Sequence, residues 1–385
     1  MPPLDILISA GEASGDMYAS RLVGELRKRA PGLRFYGCAG PQMRAAGVEP
    51  VVDAEALAVV GLVEVLAHIP RIYGEFRKLV AAAEGRRPVL AILTDSPDFN
   101  LRVAKKLKRL GIPVVYLVAP QVWAWRSGRV KQMRRDLAGV LSIFPFEQAW
   151  FAERGLAVDF IGHPLAWSAA PRGTRAGFCA RYGFDETKPI LVLLPGSRVG
   201  EARRHLPAVL DAVEVLRGHG YTQFVWAAPT GFLTREAGSF TSFRERISAL
   251  SIQTVEGETW DAIAHADLAL AASGTVTMEA AMLGTAMVSF YRVTAISWLL
   301  GKLLVSVPFY TMVNLVAGRR VVPELMQDEL TGANLARAAL DLLETPGALA
   351  GMRAELAAIR HTLRRETDPL AEAARILADR YLKET

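Results

Sequence analysis

Two glycine-rich turns constrain the architecture of this chain more than any other feature. Each follows a short apolar run and each opens a helical pattern. The first is Ser9-Ala10-Gly11-Glu12-Ala13-Ser14-Gly15-Asp16 after Ile6-Leu7-Ile8, and the second is Pro195-Gly196-Ser197-Arg198 after Ile190-Leu191-Val192-Leu193-Leu194. A strand that ends in glycine and leads directly into a helix is the building unit of an open parallel sheet. Two such openings far apart predict two α/β halves with a ligand cleft between them, at the carboxyl ends of the strands.

The strand pattern supports this reading. Asp5–Ser9, Arg34–Tyr36, Val89–Thr94, Val114–Val118, Gly139–Ser142 and Asp159–Ile161 read as strands in the first half. Pro189–Leu194, Gln223–Ala228, Ile252–Val255, Leu268–Ala272 and Ala286–Tyr291 do so in the second. The runs are continuously apolar rather than alternating, as in strands covered on both faces, so parallel sheets are expected. Stretches such as Tyr18–Arg29 and Arg102–Leu110 carry helical spacing between them. Gly162-His163-Pro164-Leu165 and the irregular stretch beyond it read as a hinge. The expected domains are therefore 1–166, 167–350 and a helical tail, 351–385, that packs on the first domain or on a partner protomer. Leu349–Leu382 reads as amphipathic helix interrupted near Pro369.

Composition narrows the class. With 51% hydrophobic and 22% charged residues, the 385-residue chain can bury a large core and is no disordered polymer. Its formal charge of +6 favours anionic partners without choosing among them. Cys38 and Cys179 are the only cysteines, too few for a disulfide framework or a four-cysteine zinc site, and read as free thiols in a reducing compartment. The first residues lead straight into a strand without a signal-peptide pattern, which points to the cytoplasm. No uncharged apolar run reaches the roughly 18 residues of a membrane span. Ile296–Leu304 comes nearest, and Lys302 interrupts it.

Several residues stand where chemistry is expected. In the second half, Ser273-Gly274-Thr275 closes a strand and opens a helix, whose free N–H groups and dipole suit a phosphate. Glu279, about one turn in, can accept hydrogen bonds from a ribose diol, and Arg198 can neutralise a diphosphate. Equally, Ser273 or Thr275 caps the helix, Glu279 favours its dipole and Arg198 is an exposed loop arginine. In the first half, Asp98 follows the strand Leu90–Thr94 and is the candidate general base for a sugar hydroxyl, with Asp95 the second carboxylate in reach. The alternative is that Asp98 caps a helix starting near Phe99 and Asp95 stabilises the turn. The loop Gly11, Glu12, Ser14, Gly15 matches neither the dinucleotide fingerprint nor the P-loop, yet its amides suit an acceptor phosphate; the alternative is a tight turn. Trp123, Trp125 and Trp150 among basic runs raise a competing idea, a non-enzymatic RNA- or lipid-surface-binding protein. No RNA-binding motif accompanies them.

The chain resembles the lipid-A-disaccharide synthase family. The resemblance is carried by residues 9–16, Val60-Gly61-Leu62-Val63-Glu64-Val65-Leu66, Asp95-Ser96-Pro97-Asp98-Phe99-Asn100, Ala119-Pro120-Gln121-Val122-Trp123-Ala124-Trp125-Arg126, Ile143-Phe144-Pro145-Phe146-Glu147, Leu194-Pro195-Gly196-Ser197-Arg198, and Ser273-Gly274-Thr275 with Glu279. It implies two Rossmann-like domains of the B-type glycosyltransferase fold. It implies inverting transfer of 2,3-diacylglucosamine from its UDP derivative to 2,3-diacylglucosamine 1-phosphate, releasing UDP, with no cofactor and no bound metal. Asp98 matches the family's essential aspartate, which the resemblance implies is the base. Gly196, Ser197, Arg198, Ser273, Gly274, Thr275, Glu279 and Asn314 match donor-binding positions, although Val313 stands where the family usually has proline. The resemblance further implies a peripheral protein on the cytoplasmic face of the inner membrane, with Leu62, Val63, Val65, Leu66, Ile69 and Ile72 on the acyl-binding, membrane-facing surface, and it allows a homodimer. Within that stretch, Val59–Lys78, Pro70 is expected to break or kink the helix. A rival of the same fold is another UDP-sugar enzyme, such as a UDP-N-acetylglucosamine 2-epimerase or an undecaprenyl-linked N-acetylglucosamine transferase, against which the motifs at 9–16 and 95–100 argue.

Overall fold

The computed structural model describes residues 4–56, 62–295, 298 and 307–382, with residues 56 and 62–68 described by their backbone alone. Among these, the chain forms two compact units. One takes the residues through Trp167 and again from Leu363 onward; the other takes Ser168 through Thr362.

Each unit is built on a parallel sheet. In the first, β1 (Asp5–Ser9), β2 (Arg34–Ala39), β3 (Glu49–Asp53), β4 (Leu90–Thr94), β5 (Val114–Leu117), β6 (Gly139–Ser142) and β7 (Asp159–Phe160) lie in the order β3-β2-β1-β4-β5-β6-β7. In the second, β8 (Ile190–Leu194), β9 (Gln223–Ala228), β10 (Gln253–Glu256), β11 (Leu268–Ala272), β12 (Met287–Tyr291) and β13 (Glu324–Met326) repeat the pattern as β10-β9-β8-β11-β12-β13. The order reverses beside the first strand of each sheet, between β1 and β4 and between β8 and β11. That topological switch is where loops diverge and leave a crevice. The central strands are buried along their whole length, which explains their unbroken apolar runs.

Two strands escape the apolar-run criterion. Both β3 and β13 are sheet edges; β3 is largely exposed and contains Pro50, and β13 has three residues. A second correction concerns Pro70. The helix Leu62–Arg86 runs through it, carried onward by Leu79 and Ala83, which are fully buried in the core of the first unit. Proline removes a single N–H, and packing of the following turns outweighs that loss. Apart from Trp298, the stretch 296–304 falls outside the described residues.

The C-terminal segment divides into the helices Ala348–Leu363 and Pro369–Tyr381. The break is specified locally. Asp368 accepts a hydrogen bond from the Leu370 amide at 2.8 Å, and Pro369 takes the first helical position, where its missing N–H costs nothing. Asp368 also pairs with Arg21 on the helix Ala13–Arg29, at 2.8 Å, and Arg380 makes a bidentate pair with Asp159 at 2.6 and 2.8 Å. The last helix thus belongs to the first unit.

Asp16 ties the first helix to the loop after β2. It is almost fully buried, and its Oδ1 accepts from the amides of Gly40 and Met43 at 3.0 Å while Oδ2 accepts from Gln42 at 2.8 Å. These amides open the short helix Pro41–Ala45, so the carboxylate serves as its cap from outside. Removing it leaves three amides without their anion. Asp16→Ala is expected to destabilise the protein by about 2–4 kcal/mol in urea unfolding; a loss within about 0.5 kcal/mol would contradict this account.

Candidate active site

The motif loops emerge at the two switch points. Register pairs Ile6 with Leu90 and Ser9 with Leu93, so the loop after β1 and the loop after β4 leave the sheet side by side. Likewise Leu268 pairs with Leu191 and Ala271 with Leu194, which sets Pro195–Arg198 beside Ser273–Thr275.

In the first unit the two loops are joined by Asp95. Its Oδ1 accepts from the Gly11 amide at 2.7 Å and its Oδ2 from the Glu12 amide at 3.0 Å. The glycines follow from this approach. A Cβ on Gly15 would stand 1.8 Å from Asp95 Oδ2, and one on Gly11 would stand 2.4 Å from Ser96 Oγ. Two of the amides expected to receive an acceptor phosphate, those of Gly11 and Glu12, are therefore engaged by an internal carboxylate. Burial pushes the Asp95 carboxyl up to about 8, against the opposing pull of the two amides.

Asp95 and Ser96 both have left-handed backbones, with φ of 51° and 39°. Their neighbours hold them there. Asn100 Nδ2 donates to the Thr94 and Asp95 carbonyls at 2.8 and 3.1 Å, the Tyr116 hydroxyl donates to the Asp95 carbonyl, and Ser9 Oγ donates to Asn100 Oδ1 at 2.9 Å. Val118 and Arg126, also left-handed, follow β5 on the same end of the sheet. Such strain persists where surrounding contacts over-determine it, and it gathers at functional sites.

The elbow delivers Asp98 to the first turn of the helix Pro97–Arg109. Ser96, not Asp98, is the residue at the cap position, and no side chain caps this helix, so the capping alternative for Asp98 is set aside. The Asp98 side chain is 58% exposed. Its Oδ1 meets Arg126 Nη1 at 2.8 Å and also Arg129 Nη2. Both guanidinium groups lie over the Trp125 ring, at 4.3 and 5.8 Å from its centroid.

Glu147 supports this loop from below. It is buried, caps the helix Pro145–Ala152 through the Phe144 amide at 3.2 Å, and accepts from Trp123 Nε1 at 3.1 Å. Trp123, Phe144, Phe146 and the buried His163 ring form an aromatic layer around it. His163 accepts from the Leu165 amide through Nδ1, and burial lowers its pKa to about 3, so the imidazole is neutral.

In the second unit, Gly196 has φ +136°, and a Cβ there would stand 2.8 Å from Glu201 Cβ. Ser197 is exposed. Arg198 Nη1 donates to Glu201 Oε1 at 3.2 Å, and the same oxygen accepts from the Tyr291 hydroxyl at 2.9 Å. His205 bridges the same strand ends: Nδ1 donates to the Pro195 carbonyl at 2.6 Å and Nε2 accepts from the Arg292 amide at 3.0 Å. Gly274 precedes the helix Thr275–Leu283, which no side chain caps; this removes the capping alternative for Ser273 and Thr275. Ser273 Oγ instead donates to the Tyr310 carbonyl at 3.3 Å. Glu279 is half-buried, and burial raises its pKa to about 7 despite an indole hydrogen bond from Trp260.

Asn314 is 0% exposed, its Oδ1 accepts from the Val321 and Val322 amides, and its Nδ2 donates to the Val322 carbonyl and to Glu324. A side chain engaged in this way shapes the loop. The helix Met312–Ala317 that carries it is capped by Thr311 and accommodates Val313 in the core.

The sequence model of the family described as lipid-A-disaccharide synthetase matches residues 6–372. The chain belongs to this family. It is 56% identical over 369 residues to the lipid-A-disaccharide synthase of Solibacter usitatus (strain Ellin6076), covering 96% of this chain and 95% of that relative. Among solved structures it resembles the S. aureus MnaA–UDP co-structure, with a TM-score of 0.67 at 12% identity over 99% of this chain and 98% of the other. It also resembles the UDP-GlcNAc 2-epimerase from Neisseria meningitidis bound to UDP-GlcNAc, with a TM-score of 0.63 at 12% identity over 99% and 100%. These likenesses establish the fold, the two-domain B-type glycosyltransferase architecture. As a member of this family, the protein is a glycosyltransferase.

The place of Asp98 at a helix start follows from local sequence order, whereas its contacts with Arg126 and Arg129 do not. Arg126 and Arg129 belong to a basic run, and basic runs read as solvated or lipid-facing surface. Glu147 and His163 were missed because their role rests on burial by distant aromatics. Glu147 also makes a pH test. Its carboxyl is pushed up to about 7, so its contribution to stability is present below the ordinary value near 4.5 and lost as pH rises through about 7. Glu147→Gln loses one accepted hydrogen bond and should fall below wild type near pH 5, with the difference narrowing or reversing toward about pH 8.5 as wild type loses its pH-dependent share. Parallel pH dependences of unfolding in the two proteins would exclude this.

Proposed function

We propose that the enzyme transfers 2,3-diacylglucosamine, with inversion, from its UDP derivative to the 6-hydroxyl of 2,3-diacylglucosamine 1-phosphate. The products are the β-1,6-linked disaccharide 1-phosphate and UDP. The observation that carries this reading is the exposed Asp98 carboxylate at the β1/β4 switch point of a chain that belongs to the synthase family. With both guanidinium contacts on Oδ1, Oδ2 is the atom assigned to take the proton of the attacking hydroxyl. The donor is assigned to the second unit. There, the N-terminus of the helix Thr275–Leu283, with Ser273, Gly274 and Thr275, and the loop Gly196–Arg198 meet the charge that develops on the departing UDP, while Glu279 takes the ribose diol. Asn314 acts through the loop it holds.

Acylated substrates require a membrane surface. No helix of the described residues is long and apolar enough to cross a membrane. On the helix Leu62–Arg86, Ile69 and Tyr73 are one turn apart and 50% and 60% exposed, whereas Ile72 is partly packed against the core. The side chains of Leu62, Val63, Val65 and Leu66 fall outside the described residues. We assign the Ile69 and Tyr73 face of this helix to lipid contact.

The test is turnover in detergent micelles with both lipid substrates, following UDP and disaccharide together. Wild type should form both in an acceptor-dependent way, and Asp98→Ala should lose roughly 100-fold or more. A folded wild-type protein that forms neither product would refute the assignment.

A further inference from the structure

The acceptor phosphate needs a seat, and two amides of the glycine-rich loop after β1 are engaged. Asp95 engages the Gly11 and Glu12 amides with its two oxygens, so a second anion arriving there would meet a carboxyl instead of free N–H groups. The same end of the sheet offers another cationic feature. Arg126 and Arg129 share one carboxylate, Asp98, which leaves the trio with one positive charge in excess. Each touches Asp98 through a single Nη, and a guanidinium has five N–H donors in a fixed fork. Both guanidinium carbons lie over the Trp125 ring. Arg126 is 41% exposed and has a left-handed backbone, φ +60°.

We propose that Arg126 and Arg129 form the site for the phosphate monoester of the acceptor sugar. The inference rests on the transfer reading above. A phosphate monoester carries close to two negative charges and matches the guanidinium fork in geometry. A guanidinium that touches Asp98 with one nitrogen keeps its other donors within about one pyranose ring of that carboxylate. The phosphate on C1 and the 6-hydroxyl borne through C5 flank the ring oxygen on one edge of that ring. Holding the phosphate at the arginines therefore keeps the hydroxyl within reach of Asp98. The pair sets which sugars count as acceptors, and Asp98 acts on the one so held.

The test compares 2,3-diacylglucosamine 1-phosphate with the same lipid lacking its phosphate. Two readouts are used, equilibrium binding in detergent micelles and kcat/KM with UDP-2,3-diacylglucosamine as donor. Wild type should prefer the phosphorylated lipid in both. In Arg126→Gln and Arg129→Gln that preference should shrink about 10-fold or more, with UDP affinity unchanged. Arg126→Lys, which keeps charge but not the fork, should fall between, and Asp98→Asn should lower turnover on both acceptors alike. Inorganic phosphate should compete with the acceptor lipid and not with UDP. An undiminished preference in the glutamine variants overturns the site, as does an equal loss on both acceptors, which would leave the arginines acting only through Asp98. Lost UDP affinity would assign them to the donor diphosphate and equally overturn it. If no disaccharide forms but wild type binds the phosphorylated lipid more tightly through these arginines, the transfer reading fails and the site stands.

Discussion

The carboxylate of Asp95, set between two loops of the first unit, is the contact on which the proposed site depends. Parallel strands diverge at a switch point and leave backbone amides with no strand to pair with. Asp95 crosses that gap and gathers the Gly11 and Glu12 amides. The arrangement costs two left-handed residues in succession and a partly buried carboxyl. Asn100, Tyr116 and Ser9 offset the strain by fixing the carbonyls around it. Because Ser96 completes the elbow, Pro97 starts the helix and Asp98 falls in its first turn, exposed. A change at Gly11 or Gly15 would thus act on Asp98 without touching it.

The second unit meets the same topological problem with other chemistry. His205 spans β8 and β12 as a neutral ring, since Nδ1 must donate to a carbonyl while Nε2 receives an amide. Glu201 receives Arg198 and Tyr291 on one oxygen, and Glu324 gathers Thr311 and Asn314. Loops that would otherwise be loose are pinned by buried polar groups with partners, leaving Ser197, Gly274 and Thr275 at the surface. The two sheets share strand order, yet the polar residues that secure their crevices do not correspond.

This difference explains what was legible in the sequence. Central strands announce themselves because burial on both faces demands continuous apolar runs. Edge strands do not: β3 and β13 are short or exposed and leave no such run. Asp98 was legible because its place follows from strand, turn and helix in local order. Arg126 and Arg129 were not, because only the fold brings a loop after β5 to the helix after β4. At Asn314 the family pattern marks the position, while only the hydrogen bonds reveal a buried side chain that shapes a loop. Pro70 was overread because local propensity was weighed without the packing of Leu79 and Ala83 beyond it.

Basicity alone would choose a different base. Asp95, with a carboxyl raised to about 8, holds protons at a pH well suited to general base catalysis, and it lies three residues from Asp98. Its oxygens, however, are committed to two amides, and pulling one away to accept a substrate proton would release the loop that carries Gly11. Glu147 and Glu279, each raised to about 7, are likewise engaged by indole N–H groups. What raises these three carboxyls is removal from water; for Asp95 and Glu147, in the first unit, the same removal takes them out of reach of a sugar hydroxyl, and Glu279 lies in the second unit. Asp98 keeps its carboxylate at the surface and gathers guanidinium groups on one oxygen. Access decides before basicity, and access belongs to the exposed carboxylate at the helix start.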